Sequence, residues 1–155
     1  LNKDLSKREF EDLCDEFSKL VYHRVIDCKY VEGATEFLNK YYDRISFYIV
    51  SGTPHDEMHA ITKERGISKY FKGIYGSPTT KSVWVKSIIK EQNLNRENIV
   101  FVGDALSDYN AAKEHDIFFV GRINNSQKNV FKNKEIDLMV NNFYELDNYI
   151  SRYVF

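Results

Sequence analysis

Two carboxylates four residues apart, Asp104 and Asp108, close the segment Ile99-Val100-Phe101-Val102-Gly103-Asp104-Ala105-Leu106-Ser107-Asp108. Its apolar start suits a buried parallel strand, and open α/β sheets bind ligands just outside the carboxyl ends of their strands. A carboxylate placed there, with a second close by, is a natural ligand for a hard cation such as Mg2+, which takes oxygen donors at about 2.0–2.1 Å. The plainer role for the pair is to cap and charge the start of a helix.

Two further loops carry chemistry of the same kind. In Phe47-Tyr48-Ile49-Val50-Ser51-Gly52-Thr53-Pro54 an apolar run ends in hydroxyl residues, and proline follows where a helix takes its first turn. Ser51 or Thr53 there can cap the helix, Gly52 lets backbone approach a ligand, and free amides with a hydroxyl suit phosphate. In Ser77-Pro78-Thr79-Thr80-Lys81 the lysine opposes the macrodipole of the helix it opens. An anionic partner offsets that cost; a solvated surface lysine is the plainer account. Phosphate needs donors and a cation around its oxygens, and Mg2+ needs carboxylates. The three loops, if they share one sheet edge, supply both.

The elements that position these loops follow from periodicity. Ser6 to His23 reads as one amphipathic helix, opened by the capping box Ser6-Lys7-Arg8-Glu9. Its apolar stripe of Phe10, Leu13, Cys14, Phe17, Leu20 and Val21 must bury against something. From Gly33 helices and strands alternate. Helices are predicted over 34–42, 56–65 (stopped by Gly66), 82–92, 107–114 and 143–153. Strands are predicted over 45–50, 73–76, 99–102, 117–120 and 136–140, with 124–134 a surface connection. Near-continuous apolar strands between helices indicate an α/β fold, a Rossmann-like parallel sheet with helices on both faces. Trp84, Ile88, Ile89 and most of the 22 Tyr and Phe residues read as core. His55 and His59 read as solvated, since no third ligand completes a metal site.

At 155 residues the chain is long enough for a domain with a proper core. Its 22 basic and 23 acidic residues give no electrostatic reason to expect nucleic acid or an anionic membrane. No apolar run approaches the roughly 20 residues of a membrane span. Cys14 and Cys28 have neither metal nor disulfide spacing, so the expected setting is cytoplasmic and both thiols are expected to be partly buried. A dinucleotide-binding domain needs a Gly-x-Gly-x-x-Gly turn, which is absent. A receiver-type domain needs its lysine late in the chain, whereas Lys81 precedes the acidic pair.

Across about Tyr30 to Arg122 the chain resembles the haloacid dehalogenase superfamily of phosphohydrolases, in its phosphoglycolate phosphatase and β-phosphoglucomutase branch. Ser51 matches the hydroxyl that ends the second core strand, Lys81 the phosphate-neutralising lysine, and Asp104 and Asp108 the Gly-Asp-x-x-x-Asp motif. Tyr30-Val31-Glu32-Gly33-Ala34 looks like the return from a helical cap, with Glu32 where that branch often has proline. The resemblance implies Mg2+-dependent hydrolysis of small phosphorylated metabolites through an aspartyl-phosphate. Asp104 and Asp108 would be metal ligands, Ser51, Gly52, Thr53 and Lys81 would bind phosphate, and Ser51 and Lys81 would assist catalysis. The implied layout is a cap remnant over residues 1–29 and a core over 30–155.

One departure matters. The family attacks phosphate with an aspartate in an Asp-x-Asp-x-Thr/Val motif on its first core strand, and no such motif occurs here. The nearest segment, Val25-Ile26-Asp27-Cys28-Lys29, has lysine where the acid–base aspartate belongs. The expectation is a chain truncated within the cap and inactive by itself. The resemblance places the missing strand between the 45–50 and 99–102 strands, where its absence leaves a gap of roughly 9–10 Å with unpaired backbone. A separate N-terminal fragment, a swapped strand from another copy or a rearranged sheet is expected to fill it. The alternative is a catalytically silent relative that binds phosphate and Mg2+ for regulation.

Overall fold

The computed structural model describes residues 6–124 and 129–153, except the side chains of residues 11, 14, 15 and 18. Helix α1 (Lys7–Asp27) opens as the capping box requires. The Glu9 amide donates to Ser6 Oγ at 3.3 Å, and the Ser6 amide donates to Glu9 Oε2 at 2.9 Å. The helix continues past His23 to Asp27, so Val25-Ile26-Asp27 is helical and cannot serve as a core strand. Its carboxyl end is fastened by Arg65, whose guanidinium donates to the carbonyls of Val25, Ile26 and Cys28 and lies 4.1 Å from the centre of the Tyr30 ring. These are the carbonyls a helix end leaves without partners. The apolar stripe is not buried: Phe10, Leu13, Phe17 and Leu20 are each more than half exposed. Cys28 is exposed rather than partly buried, and the side chain of Cys14 lies outside the described residues.

The rest alternates as the periodicity requires: α2 (Ala34–Tyr41), β1 (Phe47–Pro54), α3 (His55–Glu64), β2 (Phe71–Ser77), α4 (Lys81–Glu91), β3 (Val100–Gly103), α5 (Leu106–Glu114), β4 (Phe118–Arg122), β5 (Leu138–Val140) and α6 (Phe143–Ile150). Gly33, just ahead of α2, has φ +77°, and a Cβ there would meet Tyr144 at 2.9 Å. Only glycine tolerates both. β1 runs through Ser51 and Thr53, so Pro54 takes the cap position of α3 and neither hydroxyl caps that helix. The Ser51 hydroxyl instead accepts from the Thr53 amide at 3.1 Å.

Among the described residues all strand pairs are parallel, and they form two sheets, β1-β2 and β3-β4-β5. β4 is the interior strand. Its Val120 packs with Phe37, Tyr41, Val140, Leu146 and Ile150 under α2 and α6, while Phe119 faces Val85, Ala111, Ala112 and Phe131 under α4 and α5. Successive side chains of a strand point to opposite faces, so helices cover both sides. Phe131, predicted to lie in a surface connection, is a core residue of the second cluster. The aromatic residues divide more evenly than expected: Phe37, Tyr41, Phe119 and Phe131 are buried, whereas Phe10, Phe17, Tyr42, Tyr144 and Tyr153 are exposed.

The two sheets share their helical layers without being hydrogen-bonded to each other. Phe47 of β1 packs against the same α2 cluster as Val120 of β4, and α4 touches both β1 and α5. Between them β1 and β3 each keep one edge unpaired among the described residues. Val100 and Val102 of β3 are 41% and 37% exposed, although their register partners Phe118 and Val120 face the first cluster.

Candidate active site

The site is built at the carboxyl ends of β1 and β3. On leaving β3 the chain passes Gly103 and Asp104 into α5, whose first turn carries Asp108. Asp108 is buried, and its two oxygens are both engaged. Oδ2 accepts from the Ala105 amide at 3.0 Å, which caps the helix, and Oδ1 accepts from Lys81 Nζ at 2.5 Å. A Cβ on Gly103 would fall 2.3–2.6 Å from Asp108 side-chain atoms, so the glycine is what lets this carboxylate fold back over the strand end. Lys81 is the first residue of α4, with Thr80 as its cap. The lysine's unfavourable position against the helix dipole is thus offset by a carboxylate 27 residues later in the chain. Lys81 and Asp108 side chains are 19% and 6% exposed, so water screens the pair poorly.

Asp104 stays exposed. Asp108, not Asp104, does the helix capping. The register Gly103↔Gly121 places Asp104 beside Arg122 at the ends of neighbouring strands, and both line a cavity of about 40 Å³ with Asn124, Asn129 and Phe131. Arg122 is the functional candidate that the sequence reading passed over. The available signal was an arginine one residue beyond the glycine that ends an apolar strand.

Ser51, Gly52 and Thr53 stand in an irregularity of β1. The ladder runs Val50↔Tyr75 and then Pro54↔Ser77, so four residues of β1 span two of β2. Such bulges lift residues out of the ladder and re-aim them. Around Gly52 the space is open, since a Cβ there would meet nothing within 4 Å. Gly76 is the opposite case: a Cβ would lie 2.4 Å from the Thr53 carbonyl oxygen and 2.6 Å from His55 Cα. That close approach locks the end of β2 under the bulge. His55 is correspondingly not a solvated helix residue. Its Nδ1 accepts from the Gly76 amide at 3.2 Å, and its ring stacks 6.0 Å from Trp84, whose Nε1 donates to the Gly76 carbonyl at 2.9 Å. Trp84 therefore buttresses the loop instead of filling the core, whereas Ile88 is buried. His59 is exposed as expected.

The fold joins Lys81 directly to Asp108 and sets Asp104 at the adjoining strand end. Among the described residues no hydrogen bond links Ser51 to any of the three; its hydroxyl is held within its own loop. No group of three or more His, Cys, Asp and Glu side chains gathers as a ready-made metal cage among the described residues.

The chain belongs to the haloacid dehalogenase-like hydrolase family, whose profile matches residues 1–122. Solved structures with the same fold include a haloacid dehalogenase-like family hydrolase from Streptococcus pneumoniae, 18% identical, with a TM-score of 0.79 over 94% of this chain and 72% of that one. A predicted phosphoglycolate phosphatase from Haemophilus somnus is 19% identical, with a TM-score of 0.78 over 95% of this chain and 69% of that one. A third, a HAD-hydrolase from Bacillus subtilis bound to magnesium, is 14% identical, with a TM-score of 0.72 over 94% of this chain and 73% of that one. No curated protein sequence matches. No described helix is long and apolar enough to cross a membrane.

Proposed function

We propose that this chain supplies the phosphate- and magnesium-binding part of a hydrolase that cleaves phosphate monoesters of small metabolites. The observation that carries the reading is the poorly screened Lys81–Asp108 pair beside an exposed Asp104 at the mouth of β3. An ammonium fixed in place by a carboxylate is pre-organised to meet developing charge without first having to be oriented.

The donor set fits Mg2+ in one respect and departs from the expectation in another. Mg2+ is commonly held by one or two carboxylates together with waters and substrate phosphate oxygens, which an exposed Asp104 suits. Each Asp108 oxygen already accepts one hydrogen bond, so in this reading Asp108 chiefly orients Lys81 and the start of α5 and keeps a lone pair on each oxygen for the ion or its waters. When bound, the ion would offset charge on the phosphoryl oxygens. Lys81 would bind the same oxygens electrostatically, while the Ser51 hydroxyl, the Gly52 amide and Thr53 would hold the phosphate from β1.

The nucleophile in this reading is an aspartate on a further parallel strand seated between β1 and β3. Support comes from the unpaired edges of β1 and β3 among the described residues, the half-uncovered Val100 and Val102, and helix α4, which touches both β1 and α5. Its carboxylate oxygen would bond to phosphorus as the ester oxygen leaves with a proton from the acid–base aspartate of the same motif, which would take a proton back from the water of the next step. Water would then attack phosphorus, releasing phosphate and restoring the carboxylate. The layout that follows is a helical cap segment over residues 1–29 and a core over 30–155 that accepts this strand.

In the complete protein, Asp104→Ala is expected to abolish Mg2+-dependent turnover of p-nitrophenyl phosphate while leaving thermal melting unchanged. Unaltered turnover would remove Asp104 from the site. Phosphate binding without any turnover would move the protein to the silent, regulatory class.

A further inference from the structure

The residue after Lys81 is held by a group that the hydrolase reading leaves unused. Ser82 lies in the first turn of α4, against the end of α5 far from Asp108. There Nε2 of His115 stands 2.9 Å from the Ser82 hydroxyl and 2.9 Å from the Ser82 carbonyl oxygen. A carbonyl oxygen only accepts, so Nε2 carries the hydrogen and shares it between the two oxygens. The histidine is 9% exposed, which leaves it little water to bond instead.

His115 is a rigid donor because the backbone around it is fixed. It closes α5, and the chain leaves through Asp116 at φ +53°. The Ile117 amide donates to the Ala112 carbonyl at 3.1 Å, and the Asp116 amide to the Lys113 carbonyl at 3.3 Å. This Schellman pattern satisfies carbonyls that a helix end leaves open, and Ile117 beyond it is buried.

The place of the Lys81 ammonium depends on how α4 lies against α5, because its partner Asp108 stands on α5. Among the described residues two polar links join these helices, Lys81 to Asp108 and His115 to Ser82. They grip α5 about two turns apart, from neighbouring residues of α4. Val85, Ala111 and Ala112 supply apolar contact, which is non-directional. The Thr80 cap bond is long at 3.5 Å, and the Trp84 bond to Gly76 ties the same turn to β2 and not to α5.

We propose that His115 is a positioning residue: by clasping Ser82 it sets the first turn of α4 on α5 and so fixes where the Lys81 ammonium meets the phosphoryl group. The assignment rests on the hydrolase reading, which gives Lys81 that task. A charge already in place stabilises a transition state without reorganising, whereas a mobile ammonium still attracts bound phosphate. Losing the clasp therefore slows the chemical step more than it weakens binding.

Steady-state turnover of p-nitrophenyl phosphate by the complete protein in Mg2+, measured well below its melting temperature, tests this. His115→Phe keeps a buried ring and removes the donor, so kcat is expected to fall about tenfold with KM within about twofold. His115→Gln keeps an N–H at similar reach and is expected to recover most of kcat. Should His115→Phe not fold, Ser82→Ala decides in its place, with a fall of about threefold in kcat and the same steady KM. A purely structural histidine gives a lower melting temperature with kcat unchanged, and that result would overturn the proposal. So would a rise in KM alone, or His115→Gln as slow as His115→Phe. Absence of turnover in the wild type would instead bring down the hydrolase reading, and this assignment with it.

Discussion

Asp108 illustrates how one side chain can serve three neighbours. It caps α5, anchors Lys81, and depends on the bare backbone of Gly103 for room. Removing one member of a buried ion pair leaves the other charge unpaired and poorly hydrated, which costs more than the pair contributes to stability. Asp108→Ala is therefore expected to cost about 3 kcal/mol, read as a lower urea midpoint at unchanged slope. A loss well under 1 kcal/mol would show that Lys81 finds another partner and is not held by Asp108. The chain order of these residues hid the pairing. Sequence placed both at strand-to-helix turns, but nothing in a one-dimensional string tells which turns adjoin.

At the scale of elements, the described bonds from α1 to the rest of the fold lie in its carboxyl half. Arg65 and the Tyr22–Glu64 hydrogen bond of 2.7 Å fasten its carboxyl half to α3, while Phe10, Leu13 and Phe17 face solvent. Hydrogen bonds from a charged donor to helix carbonyls contribute about 1.5–3 kcal/mol. Arg65→Ala should thus release α1 locally, with faster hydrogen exchange over 20–27 and little change in β4. Retained protection in α1 would show that packing rather than Arg65 holds it. By contrast, Phe17→Ser should shift stability by no more than about 0.5 kcal/mol, because an exposed side chain loses little on truncation. A large loss in the chain by itself would mean that the stripe is covered in solution. The amphipathic pattern announced that this face wants a partner; it could not name one.

Across the whole molecule, two carboxylates far from the site tie the layers together. Asp147 on α6 accepts from Lys40 Nζ at 2.8 Å and from the Tyr41 hydroxyl at 2.6 Å, and these bonds hold its carboxyl below the usual range. Asp137 is pushed up by burial, but hydrogen bonds from Lys113 and the Phe119 amide outweigh that and leave it lowered. A carboxyl whose pKa falls on folding stabilises the native state above its ordinary value. That contribution disappears as pH drops through the lowered one. Stability is thus expected to decline on the acid side, below about pH 4, and Asp147→Asn should flatten part of that decline. An identical acid limb in the variant would mean that Asp147 titrates alike in both states. Loss of these ties would separate α6 from α2 and loosen the layer that both sheets share.

The order of helices and strands, the parallel α/β class and the candidate residues Ser51, Lys81, Asp104 and Asp108 were all legible in the sequence. Hydrophobic periodicity and turn chemistry are local properties, and a chain carries them wherever it is placed. Pairing is not local. That Lys81 meets Asp108, that Arg122 stands beside Asp104, that His55 supports Gly76, and that the described strands form two sheets not hydrogen-bonded to each other were decided only by the tertiary structure. Each of these depends on which strand ends become neighbours in space, and that is settled by the packing of both layers at once.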